Sequence, residues 1–161
     1  MSDTLVKNIQ SAFIEKGWTL SLAESCTGGA LAARLTSMPG CSNYFLGSIV
    51  AYSNEVKVKL LGIDESILNE YGAISEPIAS QMAQEVLRLT GSDYSLAVSG
   101  IAGPGGGTAS KPIGTICAAL ARRQELPLVW TFQLEGSREA IIAQAAEALL
   151  NRLWLSIRNY K

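Results

Sequence analysis

At 161 residues, with 48% hydrophobic and 17% charged residues, the chain has the size and composition of one compact globule rather than a disordered segment. A net charge of −1 leaves no basic footprint for nucleic acid, and no apolar run approaches the roughly 20 residues a membrane span needs. Histidine is absent, which removes Ser-His-Asp and Cys-His catalysis and most zinc or iron sites together.

Residues 4–16 carry Leu5, Ile9 and Phe13 at helical spacing and stop at Gly17, which predicts an amphipathic helix. A short apolar strand over 18–23 runs into Glu24-Ser25-Cys26-Thr27-Gly28-Gly29, and a helical stretch follows over 30–36. Residues 44–52 read as a second strand. Asn54 then opens a helix through Val56, Leu60 and Leu61 that Gly62 stops. Asp64 caps a short helix over 64–71 that ends at Gly72. Ser75, with Pro77 in the first turn, is the expected N-cap of a long helix reaching about residue 90. A buried strand over 94–99 leads into a glycine-dense loop over 100–111. Two further strands, over 115–121 and 128–134, are joined by a short polar connection, and Ser137 caps the last helix. Strands alternating with helices predict an α/β fold whose sheet is covered on both faces, and the close final pair predicts an antiparallel member, so the sheet is mixed. No linker or repeat divides the chain, so residues 1–161 are expected to form a single domain. The start lacks a signal-peptide layout, which makes the cytoplasm the expected location.

Four stretches carry chemistry. Ser25 stands between a strand and a helix N-terminus, where backbone N–H groups from Cys26 or Thr27 onward, Gly28 included, are placed to form an oxyanion hole, and where glycines let a substrate approach. An ordinary N-cap serine is the equal alternative. A serine hydrolase without histidine needs another proton acceptor, and a lysine serves when burial depresses its pKa. Lys57, Lys59 and Lys111 are the candidates; Lys57 and Lys59 lie two apart on one helix, so at most one points inward. The run from Ser99 through Gly100, Gly103, Gly105, Gly106 and Gly107 leaves the end of a buried strand, where open α/β sheets bind ligands, and its N–H groups suit an anion. It is not a Walker A loop, because Gly-Lys-[Ser/Thr] is missing. Arg138, at the start of the last helix, suits a phosphate, with a salt-bridged surface arginine as the plain alternative. Cys26, Cys41 and Cys117 are widely spaced and unlike a metal cluster; a buried hydrophobic role is the simple reading, with Cys26 a minor candidate for nucleophile. Trp18, Trp130 and Trp154 read as packing residues.

Together these stretches resemble the CinA C-terminal domain family, whose characterised stand-alone members are nicotinamide-nucleotide amidohydrolases. The resemblance runs from Ala23-Glu24-Ser25-Cys26-Thr27-Gly28-Gly29 through Ala51-Tyr52-Ser53-Asn54-Glu55-Val56-Lys57 and Gly72-Ala73-Ile74-Ser75-Glu76. It continues through Ser99-Gly100-Ile101-Ala102-Gly103-Pro104-Gly105-Gly106-Gly107 to Lys111-Pro112-Ile113-Gly114-Thr115. It implies a three-layer α/β/α sandwich around a mixed, mostly parallel five-stranded sheet, assembled as a homo-oligomer. It also implies a Ser-Lys mechanism with Ser25 as nucleophile, Lys57 as general base and Tyr52 as helper. Ser99 and the glycine loop would hold substrate and Arg138 its phosphate. The implied reaction turns nicotinamide mononucleotide and water into nicotinate mononucleotide and ammonia, with no metal or cofactor, no nucleic acid and no membrane partner. Longer members carry an additional N-terminal domain, for which 161 residues are expected to leave no room. The chain departs from the family where Ser137 replaces a common aspartate and Ile142 a frequent second arginine, which predicts an anion site of different shape. The alternative function is a catalytically silent nucleotide-binding or regulatory protein of the same fold.

Overall fold

A computed structural model describes residues 3–159. Helix α1 (Asp3–Lys16) buries Leu5, Ile9 and Phe13 as its spacing requires, and adds Val6. Its C-terminus is wrapped by the N–H of Trp18, which donates to the Phe13 carbonyl at 2.9 Å. That wrap spends Trp18 on the helix, so strand β1 (Leu20–Glu24) begins two residues later than the apolar run suggests. Helix α2 (Ala30–Thr36) follows, and a 3-10 turn over Cys41–Asn43 leads into strand β2 (Phe45–Val50). Tyr44, expected to open that strand, instead closes the 3-10 turn with φ −139° and ψ −28°.

Helices α3 (Asn54–Leu61), α4 (Glu65–Tyr71) and α5 (Glu76–Thr90) run in succession before strand β3 (Tyr94–Gly100). Asp64 caps α4 as expected, accepting from the Ser66 N–H at 2.8 Å. Ser75 occupies the cap position of α5 but does not cap it with its side chain; its hydroxyl donates back to the Gly72 carbonyl at 2.8 Å. Strands β4 (Thr115–Arg122) and β5 (Leu128–Gln133) and the 20-residue helix α6 (Arg138–Ile157) complete the chain, with Ser137 capping α6 by accepting from the Ala140 N–H.

The sheet order is β2-β1-β3-β4-β5. β1 pairs in parallel with β2 and β3, and β4 is antiparallel to both β3 and β5, so four of the five strands point one way. Helices α1, α2 and α6 cover one face, and α3, α4 and α5 the other. Alternation along the strands separates the two cores. Leu20, Leu22, Leu96, Val98, Ile116 and Leu120 fill the first, where each full burial contributes about 1.5–3 kcal/mol.

The α5 side of the sheet is built from small residues instead: Ser21, Ala23, Ser95, Ala97, Cys117 and Ala119. Its buried hydroxyls are satisfied, Ser95 by the Ala83 carbonyl at 2.6 Å and Ser21 by Ser92 at 2.8 Å. Because the chain leaves β1 toward β2 on one side and returns to β3 on the other, a crevice opens at the C-terminal ends of β1 and β3. In doubly wound sheets this is where ligands bind.

Candidate functional site

Period-two alternation sends consecutive residues of β1 to opposite faces of the sheet, and this separates two roles at its end. Glu24 turns toward α2 and Ser25 toward α3. Ser25 is 7% exposed, and its own N–H extends the ladder by donating to the Val98 carbonyl at 2.9 Å. Lys57, in the first turn of α3, is 1% exposed, and its Nζ lies 2.9 Å from Ser25 Oγ. The Tyr52 carbonyl accepts a second bond from Nζ at 3.1 Å. No ion pair holds this amine among the described residues. Burial therefore pushes its pKa below the ordinary 10.5, with only the nearby Cys26 thiol acting the other way. The other two lysine candidates are elsewhere: Lys59 pairs on the surface with Glu55 at 2.5 Å, and Lys111 donates to the Tyr71 carbonyl at 2.9 Å.

The turn after Ser25 is organised by a residue to which the sequence pattern assigns no role. Glu24 is fully buried, and its carboxylate accepts from Thr27 Oγ1 at 2.7 Å, from the N–H groups of Gly29, Leu31 and Ala32 at 3.0–3.1 Å, and from Ser48 Oγ at 3.0 Å. The N-terminus of α2, expected to be open to substrate, is filled by the chain's own carboxylate. Gly28 is likewise spent, its N–H donating to the Ser25 carbonyl at 3.0 Å, so it is no oxyanion donor. The N–H groups of Cys26 and Thr27 have no acceptor among the described residues. Gly28 takes φ of 58° in open space and Gly29 φ of 102° with only Val50 in ordinary contact distance, so the turn needs them for backbone conformation and not for clearance. The signal for Glu24 was available: Leu20, Leu22 and Glu24 share one face of a buried strand, and a carboxylate there must be fully paired.

Cys26 packs with the first core, and burial pushes its thiol up to about 12, which makes it a poor nucleophile.

A cleft adjoins the dyad through Cys26 and Tyr52. Its walls are apolar at Ile74, Ile101 and Ala102 and glycine-lined at Gly100, Gly103, Gly105 and Gly106, with Arg138 at its edge. The N–H groups of Ala102, Gly103, Gly105 and Gly106 have no acceptor among the described residues, so this wall is rich in donors. Gly107 does not border the cleft and packs against Ile113.

Two sequence expectations are corrected here. Ser99 is buried, and its hydroxyl donates to the Ala73 carbonyl at 2.8 Å, so it braces the 71–75 segment and does not reach into the cleft. The Tyr52 hydroxyl accepts from Arg138 Nη2 at 2.8 Å, so what Tyr52 offers the lysine is its backbone carbonyl and not its phenol. Among the described residues Arg138 has no carboxylate partner; its Nη1 donates to the Gly103 carbonyl at 2.7 Å, which ties the glycine loop to the start of α6.

Gly100 sets the loop's departure from β3. A Cβ there would collide with the Ile116 side chain and lie 2.7 Å from the Thr115 carbonyl, so Gly100→Ala is expected to destabilise the fold by about 1–3 kcal/mol, read from chemical denaturation.

Among the described residues, no three His, Cys, Asp or Glu side chains gather as a metal ligand set, and no helix is long and apolar enough to cross a membrane.

The family model described as the CinA C-terminal domain matches residues 2–157. A CinA-like protein of Chlorobium limicola is 41% identical over 155 residues, covering 94% of this chain and 36% of its own length. A CinA-like protein of Synechococcus is 45% identical over 156 residues, covering 96% and 37%. The chain thus spans little more than a third of these curated relatives. Among solved structures, the competence damage-inducible protein A of Klebsiella pneumoniae has a TM-score of 0.94 at 32% identity and covers 98% of each chain. The competence/damage inducible protein of Agrobacterium tumefaciens has a TM-score of 0.93 at 34% identity, over 97% of this chain and 94% of its own.

Proposed function

The chain belongs to the CinA C-terminal domain family, and on that premise we propose that it is a serine amidohydrolase that converts nicotinamide mononucleotide to nicotinate mononucleotide and ammonia. The observation that carries this reading is the 2.9 Å contact between Ser25 Oγ and a buried lysine amine that has no carboxylate partner among the described residues. In its neutral form that amine takes the serine proton as Oγ attacks the carboxamide carbon. The oxygen that becomes negative is met by the unpaired N–H groups of Cys26 and Thr27. The ammonium of Lys57 then returns its proton to the leaving nitrogen, ammonia departs, and water activated by the same amine hydrolyses the acyl-enzyme. The Tyr52 carbonyl keeps Nζ aimed at Oγ through both halves of the cycle.

The cleft suits the rest of the substrate. Ile74, Ile101 and Ala102 offer apolar surface to a flat ring, and the donor-rich glycine wall with Arg138 offers a phosphate its partners. Ser137 caps α6 with its hydroxyl, so replacing the family's common aspartate preserves the cap. Ile142 packs against the first core and adds no charge.

Ammonia release from nicotinamide mononucleotide, measured beside free nicotinamide and other pyridine nucleotides, tests the assignment. Turnover of the mononucleotide is the expected result. A rise in melting temperature with the nucleotide but no ammonia would support the silent binding protein instead. Arg138→Ala is expected to raise KM for the mononucleotide roughly 10- to 100-fold, the worth of one charge-assisted pair, and to leave hydrolysis of unphosphorylated nicotinamide riboside nearly unchanged.

A further inference from the structure

We propose that Glu24 is a positioning residue for the oxyanion hole: by binding the Thr27 hydroxyl and the N–H groups of Gly29, Leu31 and Ala32, it holds the turn so that the Cys26 and Thr27 N–H groups, which have no acceptor among the described residues, are fixed toward the reacting carbonyl. This rests on Ser25 being the nucleophile, but not on which amide is cleaved. Beside Gly28 and Ala30, whose N–H groups close onto the Ser25 and Thr27 carbonyls, the turn and the start of α2 carry two sets of donors. One set, the Thr27 hydroxyl and the N–H groups of Gly29, Leu31 and Ala32, converges on the Glu24 carboxylate. The other, the Cys26 and Thr27 N–H groups, has no protein acceptor among the described residues. Thr27 joins the sets, since its side chain is held by Glu24 while its backbone N–H is free, so the carboxylate fixes the peptide planes on either side of Thr27.

Ser48, on the neighbouring strand β2, closes the other carboxylate oxygen at 3.0 Å and locks the Glu24 rotamer from outside the turn. Complete pairing makes the arrangement rigid, and a preorganised donor gains its catalytic worth from not having to reorganise as charge develops. A bare helix N-terminus would compete with Cys26 and Thr27 for the oxyanion and draw it away from the attack line; Glu24 removes that competitor.

The replacement Glu24→Gln keeps the shape but turns an NH2 group toward donors that need an acceptor. Thr27→Val keeps Glu24 and the α2 cap and cuts only the link to the turn. The test measures covalent labelling of Ser25 by an alkyl fluorophosphonate, followed by intact mass and peptide mapping, beside thermal melting of each protein. In this step a Ser25 Oγ–P bond forms, the P–F bond breaks, fluoride leaves, the serine proton passes to Lys57, and the phosphoryl oxygen occupies the oxyanion position.

Both variants are expected to label more slowly, about 100-fold for Glu24→Gln and about 10-fold for Thr27→Val. The loss should fall in the maximal inactivation rate, with the reagent's half-saturation concentration unchanged. If nicotinamide mononucleotide is turned over, kcat should drop by the same factors at constant KM. A folded Glu24→Gln protein that labels at the wild-type rate overturns the proposal; should it not fold, Thr27→Val at the wild-type rate does so. Wild-type protein left unlabelled at Ser25 also overturns it. Wild-type labelling at Ser25 without ammonia from the mononucleotide overturns the substrate assignment alone, and the variants then decide the role of Glu24.

Discussion

Ser25→Ala is expected to reduce ammonia release from nicotinamide mononucleotide by about 10,000-fold or more, with the fold intact. Removing the nucleophile of a unit that works as a whole costs nearly as much as removing the whole unit, leaving only what the oxyanion donors and binding supply to water. The structural cost is small, because Ser25 fixes its place through its backbone N–H to the Val98 carbonyl, which alanine keeps. Among the described residues its hydroxyl hydrogen-bonds only with Lys57, which retains the Tyr52 carbonyl as acceptor. Equal melting curves for the two proteins, with ammonia release lost in one, are therefore the expected pair of results. Full activity in Ser25→Ala would remove the nucleophile from the mechanism and leave the cleft as a ligand-holding site.

Lys57→Met should abolish turnover to a similar degree while leaving the protein as stable or more so. A buried lysine with no ion pair among the described residues is held against its preference for water, and an unbranched thioether of similar length fills the same space without that cost. Burial holds the Lys57 pKa below its ordinary 10.5, the value it regains in the unfolded chain. Between the folded value and 10.5 the unfolded state binds the extra proton, so this group's contribution to stability rises with pH across that window and is lost as pH falls through the folded value. The methionine variant lacks that slope. Its stability advantage should be largest at the acid end of the window and vanish near 10.5, as read from denaturant midpoints along a pH series. In the active enzyme the same shift has a kinetic signature: kcat/KM should climb as Lys57 sheds its proton and level off well before 10.5.

Much of this site was legible in the residue order. The absence of histidine pointed to lysines as the candidate proton acceptors, and helical phase excluded Lys57 and Lys59 from facing inward together. The structure places Lys57 inward and Lys59 on the surface. The mixed sheet with its antiparallel final pair followed from spacing, because a short polar connection cannot carry a parallel crossover.

What periodicity does not encode is which partner a polar group chooses. Ser99 and Ser75 both look like site or cap residues in the chain, yet both spend their hydroxyls on carbonyls of the 71–75 segment, Ser75 three residues back along the chain and Ser99 through a contact that only the packed fold creates. Tyr52 has two polar ends, and the motif around it does not say that the backbone end serves Lys57 and the ring end serves Arg138. Glu24 was hidden for another reason: adjacency to Ser25 suggests shared chemistry, whereas a strand sends neighbours to opposite faces.

The dyad's two members lie 32 residues apart, on a strand end and a helix that meet only through tertiary packing. A chain still emerging from the ribosome, or one whose α3 has come loose, exposes that amine to water; it is then protonated, and Ser25 is an ordinary alcohol. If Ser25 and Lys57 act as proposed, hydrolytic reactivity is born with the fold and quenched by its first local melting, so a damaged copy would fall silent instead of acylating itself or its neighbours.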